Sequence, residues 1–438
     1  MASPREKLAG SLEALRALQT DNRRVFKSDE FTRIHRERLV RNGFLRPIIK
    51  GWLMSSHPGT DPGDTTPWHA SFWDFCAQYC SDRFGDEWHL SPELTLLIHA
   101  EATAIPRQMV IYTPRGTNNT IELPFNTSLY DLLSSPMPPN SDIALREGLR
   151  LFTPAAALVR VPESFFMRHP VEAEVSLGII RDASDVLHPL LAGGHSAIAG
   201  RLAGAFRRAG RTEVADEILE TMKATGYDVR ESDPFAPEHT PGAVRSNAPP
   251  IVRRIEGLWT TMRDSAIDAF PAPPGVPNDA EEYLGFVDDI YQRDAYHSLS
   301  IEGYSVTPAL IERVRSGNWA PEHQQQDQEE RDALAARGYW QAFESVKASV
   351  ASVLGGASSG AVVRVAHRSW YRELFQPFAT AGILEPSALA GYRNMPVYLK
   401  GSRHVPPRAE IVLDAMPALF DLLQNEPHPA ARAVLGHW

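Results

Sequence analysis

Residues Thr32 to Met54 read TRIHRERLVRNGFLRPIIKGWLM, and local signals in this stretch decide how the start of the chain folds. Thr32 can cap the first turn of a helix, and the Asn42-Gly43 pair is a typical helix end because glycine readily adopts a left-handed conformation. Two apolar runs follow, separated by a turn at Lys50-Gly51, and they predict two short strands. The stretch therefore predicts a helix followed by a β-hairpin.

Two more helices are expected before this stretch. Leucine recurs at helical spacing in EKLAGSLEALRALQ (residues 6–19), which predicts an amphipathic helix. Ser28 is a candidate cap for a short helix in VFKSDEF (residues 25–31). Three helices followed by a two-stranded wing is the element order of a winged helix-turn-helix, and we assign this fold to residues 5–56.

The same region is basic, whereas the whole chain is acidic, with a formal net charge of −10 and a pI near 5.9. Between residues 21 and 51 there are nine lysines and arginines and four acidic residues. Because such cations neutralise phosphates, operator DNA is a candidate partner. The candidate DNA-binding residues are Arg33, Arg36, Arg38 and Lys50. The alternative is a protein-binding winged helix whose exposed face is simply basic.

Composition limits the class of protein. The 438 residues predict roughly three domains, and a hydrophobic content of 43% is enough for sizeable cores. The chain has two cysteines, Cys76 and Cys80, which favours buried thiols in a reducing compartment over a disulfide framework or a zinc site. No signal-peptide pattern or membrane-length apolar run is present, so we expect a cytoplasmic protein with no membrane partner.

The middle of the chain, residues 57–235, is expected to be an α+β segment. SFWDFCAQYCSDRFG (71–85) predicts a helix, MVIYTPR and TIELPFN predict strands joined by a turn at Gly116, and helices follow from Thr153. The glycines of GGHSAIAGRLAGAF (193–206) do not follow a phosphate-loop pattern and are expected to allow close helix packing. Residues 236–280 are expected to be a Pro-rich linker and a first helix.

The last segment, residues 281–438, is expected to be all-α apart from one β-hairpin in YRNMPVYLKGSRHVPP (392–407). The fold class predicted for the whole chain is therefore mainly α, and α+β overall. Near the start of this segment lies YHSLSIEGYS (296–305), in which Ser298 and Glu302 are four residues apart and share one helix face. In the simplest interpretation, Gly303 ends a helix and Glu302 is solvated.

Four motifs make this segment resemble the Fic (Fido) family, whose typical members transfer AMP from ATP to a hydroxyl group of a target protein. SLSIEG (298–303) is similar to the family's inhibitory helix, and residues 390–407 are similar to its target-binding flap. AEIVLDAMPALFDLL (409–423) resembles the helix after the flap, and EPHPAARAVLGHW (426–438) resembles the helix before the catalytic loop. The motifs occur in the family's order.

The resemblance implies roles for particular residues. Ser298, Glu302 and Gly303 would form the inhibitory helix, where Glu302 would pair with an arginine of the catalytic loop and so prevent productive binding of ATP and Mg²⁺. Val397, Tyr398, Leu399 and Lys400 would form the flap, which would add a strand to an extended segment of the target protein. The target would present a Ser, Thr or Tyr hydroxyl.

The family's catalytic signature, His-x-Phe-x-Asp/Glu-Gly-Asn-Gly-Arg, is absent from the 438 residues. The sequence ends at His437-Trp438, a few residues before the position where the signature is expected. We therefore expect a self-inhibited Fic protein that is truncated before its catalytic loop. Such a chain would be inactive, with no catalytic and no metal-binding residue of its own.

The N-terminal half is also similar, more loosely, to AbiE-type antitoxins, which are bacterial regulators that can bind their own operator DNA. Two alternatives to the AMP transferase therefore stay open. The first is a non-enzymatic, antitoxin-like regulator that binds DNA through residues 20–52. The second is a Fic scaffold that only binds peptides through its flap.

Overall fold

The computed structural model describes residues 3–20, 23–61, 63–237, 239, 248–316 and 331–437. The chain forms two compact units. The first contains Met1–Leu258 together with Pro396–Arg408, and the second contains Trp259–Met395 together with Ala409–Trp438. The expected segments 5–56 and 57–235 thus lie in one unit, and part of the expected segment 281–438 joins them there. Within the linker expected at 236–280, residues 238 and 240–247 lie outside the described residues.

The first unit begins with two helices and a small sheet. The elements are α1 (Pro4–Leu18), β1 (Val25–Lys27), a 3₁₀ turn (Ser28–Glu30), α2 (Arg33–Arg41), β2 (Leu45–Ile49) and β3 (Trp52–Ser55). The hydroxyl of Thr32 accepts a hydrogen bond from the amide of His35 and so caps α2. Gly43 and Gly51 have φ angles of +77° and +87°, which suits the helix end and the hairpin turn. The predicted helix and hairpin are therefore confirmed.

The short helix expected in VFKSDEF is limited to one 3₁₀ turn, Ser28–Glu30, and Ser28 is its first residue rather than its cap. Val25 and Phe26 lie in a strand that pairs antiparallel with Met54 and Leu53, and the sheet has the order β1-β3-β2. Both residues are fully buried, because they belong to cores on the two faces of this strand. Burial of two β-favouring side chains outweighs the local capping signal of Ser28.

The next part of the first unit is built around a four-stranded sheet. Its elements are α3 (Thr66–His69), α4 (Phe72–Phe84), β4 (His89–Leu90), α5 (Pro92–His99), β5 (Gln108–Thr113), β6 (Thr120–Leu123) and β7 (Thr127–Leu133). The strand order is β4-β5-β7-β6, with β5 parallel to β7. The two expected strands are present as β5 and β6, but β7 lies between them. Cys76 and Cys80 are free thiols buried on α4, as expected.

A hairpin and six helices follow. They are β8 (Ile143–Arg146), β9 (Leu149–Phe152), α6 (Pro154–Arg160), α7 (Ser164–Arg168), α8 (Pro170–Ile179), α9 (Ser184–Gly193), α10 (Ser196–Arg208) and α11 (Thr212–Ala224). The glycines of α10 do allow close packing, but against an extended segment. A Cβ atom on Gly200 would lie 1.9 Å from the carbonyl oxygen of Arg230, and one on Gly204 would lie 2.1 Å from that of Ser232.

The second unit is helical in its described part. Helix α12 (Pro250–Ala269) contributes its first residues to the first unit and the rest to the second. The other helices are α13 (Ala280–Ile301), α14 (Pro308–Arg315), α15 (Arg331–Leu354), α16 (Ser359–Thr380), α17 (Ala409–Asn425) and α18 (Pro429–His437). The fold is thus mainly α.

The hairpin expected at 392–407 is also wrong, because these residues contain no strand. A single bridge joins His404 to Ala104 of the first unit instead. Pro396, Pro406 and Pro407 have no amide to donate, which disfavours a regular two-stranded ladder within the segment. None of the described helices has the length and apolar character needed to cross a bilayer.

Candidate functional site

An open groove lies between α2 and the β2–β3 hairpin. Its volume is about 500 Å³. Three cations contribute to its lining, namely Arg36, Arg41 and Lys50, together with one carboxylate, Glu37. Helix and hairpin are held in place by the buried side chains Leu39, Leu45 and Leu53, which pack in one core. The groove is therefore a surface of excess positive charge on a rigid support.

Three of the four candidate DNA-binding residues are accessible on this side of the unit. Arg36 donates a hydrogen bond of 3.2 Å to the carbonyl oxygen of Ser28, which orients its guanidinium at the groove. Lys50 is exposed at the hairpin turn and makes no ion pair with a described residue. Arg33 is 81% exposed and forms a 2.7 Å ion pair with Glu37, one helical turn away.

Arg38 does not belong to this group. Its guanidinium donates hydrogen bonds of 2.6 Å to the carbonyl oxygen of Lys7 and of 2.8 Å to the hydroxyl of Ser11. Both partners lie on α1, so Arg38 holds the two helices together. Residues 36 and 38 lie about 200° apart around a helix, and the structure accordingly separates them.

Arg41 also lines the groove, although it was not among the candidate DNA-binding residues predicted from the sequence. It follows Arg33 and Glu37 at intervals of four residues, so the three side chains lie on one face of α2. This spacing was the available signal. Ile34, beside Arg33, is 65% exposed and was not selected either.

In the second unit, Ser298 lies on the last turn of α13, and Glu302 is the residue that follows this helix. The hydroxyl of Tyr339 donates a hydrogen bond of 2.5 Å to the carboxylate of Asp294 and lies 3.2 Å from the hydroxyl of Ser298. Burial, with the hydrogen bond to Asp294, raises the pKa of Tyr339 to about 12, so it stays a neutral donor. Ser298 therefore faces α15 and fixes the end of α13 against it.

Glu302 is the C-cap residue of α13, and Gly303 follows with a φ of +84°. Glycine at this position is explained by helix termination. The carboxylate is different, because a helix C-terminus carries partial negative charge and disfavours an anion. Glu302 is exposed and has no ion pair with any described residue. The stability of α13 thus does not account for Glu302.

The expected flap residues Val397, Tyr398, Leu399 and Lys400 belong to the first unit. Val397 and Leu399 are 41% and 47% exposed, whereas Tyr398 is half-buried, and burial raises its pKa. Lys400 forms a 2.6 Å ion pair with Asp61. The side chains of Val397, Tyr398 and Leu399 therefore alternate between solvent and protein, as in an extended strand, and Lys400 is exposed again.

The His-x-Phe-x-Asp/Glu-Gly-Asn-Gly-Arg signature, with which Fic proteins hold ATP and Mg²⁺, does not occur in the 438 residues. Among the described residues, no group of three or more His, Cys, Asp or Glu side chains is arranged to hold a metal ion.

Comparison of the chain with models of protein families, with curated proteins and with solved structures finds no match.

Proposed function

We propose that this chain is part of a Fic-type protein AMP transferase, in which the end of α13 restrains the enzyme. The observation that carries the proposal is Glu302. It is an exposed carboxylate at a helix end that disfavours it, and it has no partner in the described part of the chain. Ser298, one turn earlier, is held by Tyr339 and keeps this end of the helix in place.

The proposed restraint is an ion pair between Glu302 and an arginine that would otherwise bind ATP phosphates. Charge-assisted pairing of this kind is strong where water is excluded. The arginine, the general base and the metal ligand would be supplied by residues other than these 438. The substrate would be a protein with an accessible Ser, Thr or Tyr hydroxyl.

The test uses the protein as its gene encodes it, incubated with ATP labelled at the α-phosphate and a lysate of target proteins. Glu302→Gln removes the charge with little change in shape, and we expect it to increase protein-bound label. Glu282→Gln, at the exposed start of the same helix, is the matched control and should leave labelling unchanged. Equal labelling by Glu302→Gln and wild type would refute the proposed restraint. Absence of labelling by every form would refute the proposed transferase activity.

A second candidate function, DNA binding, is favoured by the groove between α2 and the hairpin. The order of α1, β1, the Ser28–Glu30 turn, α2 and the β2–β3 hairpin resembles that of a winged helix in which a 3₁₀ turn replaces one of the three helices. In such a module, α2 would enter the major groove, and Arg36, Arg41 and Lys50 would approach phosphates. We therefore propose operator DNA as a ligand of the first unit.

The test of DNA binding is the salt dependence of affinity for the DNA upstream of the gene. Replacing Arg36 and Lys50 together with alanine should weaken binding and make the slope of log K against log salt shallower by about 2, about one per cation. Arg181→Ala, an exposed change elsewhere in the unit, is the control. Wild-type protein that fails to bind at low salt would exclude this function.

A further inference from the structure

Residues 396–408, called the strap below, are held by the first unit through backbone pairing. The amide of Ile105 donates a 2.8 Å hydrogen bond to the carbonyl oxygen of Arg403, and the amide of Val405 donates one of 2.9 Å to that of Thr103. The amide of Gly401 donates to the hydroxyl of Thr65 at 3.0 Å. The strap thus pairs with the backbone of residues 103–105 as a short antiparallel strand would.

Charge complementarity accompanies this pairing. Two strap cations form ion pairs, and in both cases the carboxylates belong to the receiving surface. Lys400 pairs with Asp61 at 2.6 Å, and Arg408 pairs with Glu101 at 2.9 Å and with Glu147 at 3.1 Å. The receiving surface is therefore suited to an extended segment that carries positive charge.

The ion pair at the start of residues 400–408 is open to solvent. The side chains of Lys400 and Asp61 are 62% and 68% exposed, and ion pairs so open to solvent contribute little. Val405 is the strap residue that packs against the large apolar core of the unit. Val397 and Leu399, by contrast, stay exposed, and their amides have no hydrogen-bond partner among the described residues.

We propose that the surface around Asp61, Thr65, Glu101 and residues 103–105 is a docking site for an extended basic segment. Residues 400–408 of this chain fill it reversibly. When residues 400–408 are docked, they hold the preceding residues Val397–Leu399 in an extended conformation without a hairpin partner. This backbone edge can then pair with an extended segment of a target protein. The role of this edge rests on the proposed AMP transferase, whereas the docking itself does not.

The test is hydrogen exchange of the full chain, read at the amides of Val405, Gly401 and Ile105. The triple variant Asp61→Asn, Glu101→Gln, Glu147→Gln removes the carboxylates but keeps the shapes. We expect exchange at Val405 to become about 3-fold to 100-fold faster, from the loss of two exposed ion pairs and of the partly buried pair with Glu101. Asp216→Asn, which removes an exposed carboxylate paired with Arg207 in the same unit, is the matched control and should change nothing at the strap.

Two further readouts keep the result decisive. Unchanged exchange in β5 shows that the triple variant is folded, and Asp61→Asn alone tests Lys400 without disturbing Glu101, which also binds Arg146. In the wild type, raising NaCl from about 0.05 M to about 1 M should speed exchange at Val405, with a smaller effect in the triple variant. The proposed docking would be refuted if the triple variant and Asp61→Asn exchanged at Val405 as slowly as Asp216→Asn and if exchange in the wild type did not depend on salt. Docking without AMP transfer would overturn only the role of Val397–Leu399.

Discussion

The carboxylate of Glu426 is expected to be a major stabilising group of the second unit, and Glu426→Gln tests this. Its side chain is 4% exposed and accepts hydrogen bonds from Arg263 at 2.8 and 2.9 Å. It also accepts from the indole of Trp259 at 3.2 Å and from the amide of His428 at 2.9 Å. Burial alone would raise the pKa of Glu426, but these donors lower it from 4.5 to about 2.

This pKa difference sets the size of the effect. At 1.36 kcal/mol per pH unit it corresponds to about 3 kcal/mol, reduced to about 2–3 kcal/mol because Arg263 is partly in solvent. The folded-state pKa lies below the unfolded value. The stabilisation is therefore fully present above pH 4.5 and is lost as the pH falls towards about 2.

The assay is urea unfolding of wild type and Glu426→Gln between pH 7 and about pH 3.5. Hydrogen exchange of α12 and α18 is measured in a second experiment. The variant should be less stable by about 2–3 kcal/mol at pH 7, and the gap should narrow as the pH falls. The control is Glu410→Gln, an exposed change in the first turn of α17. A gap below about 0.5 kcal/mol at pH 7, or one independent of pH, would refute the reasoning.

Three other expectations concern the first unit. Gly200→Ala should destabilise it by more than about 1 kcal/mol in urea unfolding, because the new methyl group would collide with the carbonyl of Arg230; stability equal to wild type would contradict this packing. Burial lowers the pKa of His69, so the unfolded state takes up a proton that the folded state does not, and stability should fall as the pH drops below about 6.5. His69→Gln should flatten this dependence, and an unchanged slope would count against it. Burial raises the pKa of both cysteine thiols, so Cys76 and Cys80 should resist alkylation at pH 8 until the protein unfolds; rapid labelling of native protein would show otherwise.

Local signals in the sequence were sufficient where neighbouring residues determine the structure. Thr32 and Gly43 delimit α2, and Gly51 turns the hairpin, so this part of the fold could be predicted. The strand at Val25–Lys27 could not, because its stability comes from pairing with Met54, far along the chain. The same holds for residues 403–405, whose partners are about 300 residues away.

The candidate site shows the same division. Local charge identified Arg33, Arg36 and Lys50 as accessible cations, and helical spacing would have added Arg41. Neither local charge nor spacing could show that Arg38 binds α1, because this contact depends on how the two helices pack. Likewise, the motif around Glu302 predicted a helix end with a solvated carboxylate, but the packing of Ser298 against Tyr339 depends on a residue 41 positions away and required the structure.

The membership of residues 396–408 in the first unit has a consequence for protein synthesis. The ribosome must add about 150 residues after Leu258 before the last residue of that unit, Arg408, is made. At about 5–20 residues per second, this takes roughly 8–30 s. During this interval the nascent chain carries a backbone edge at Thr103 and Ile105 that has no partner from its own sequence. The first unit is therefore begun early in translation but completed only after residues 259–395 of the second unit have been made.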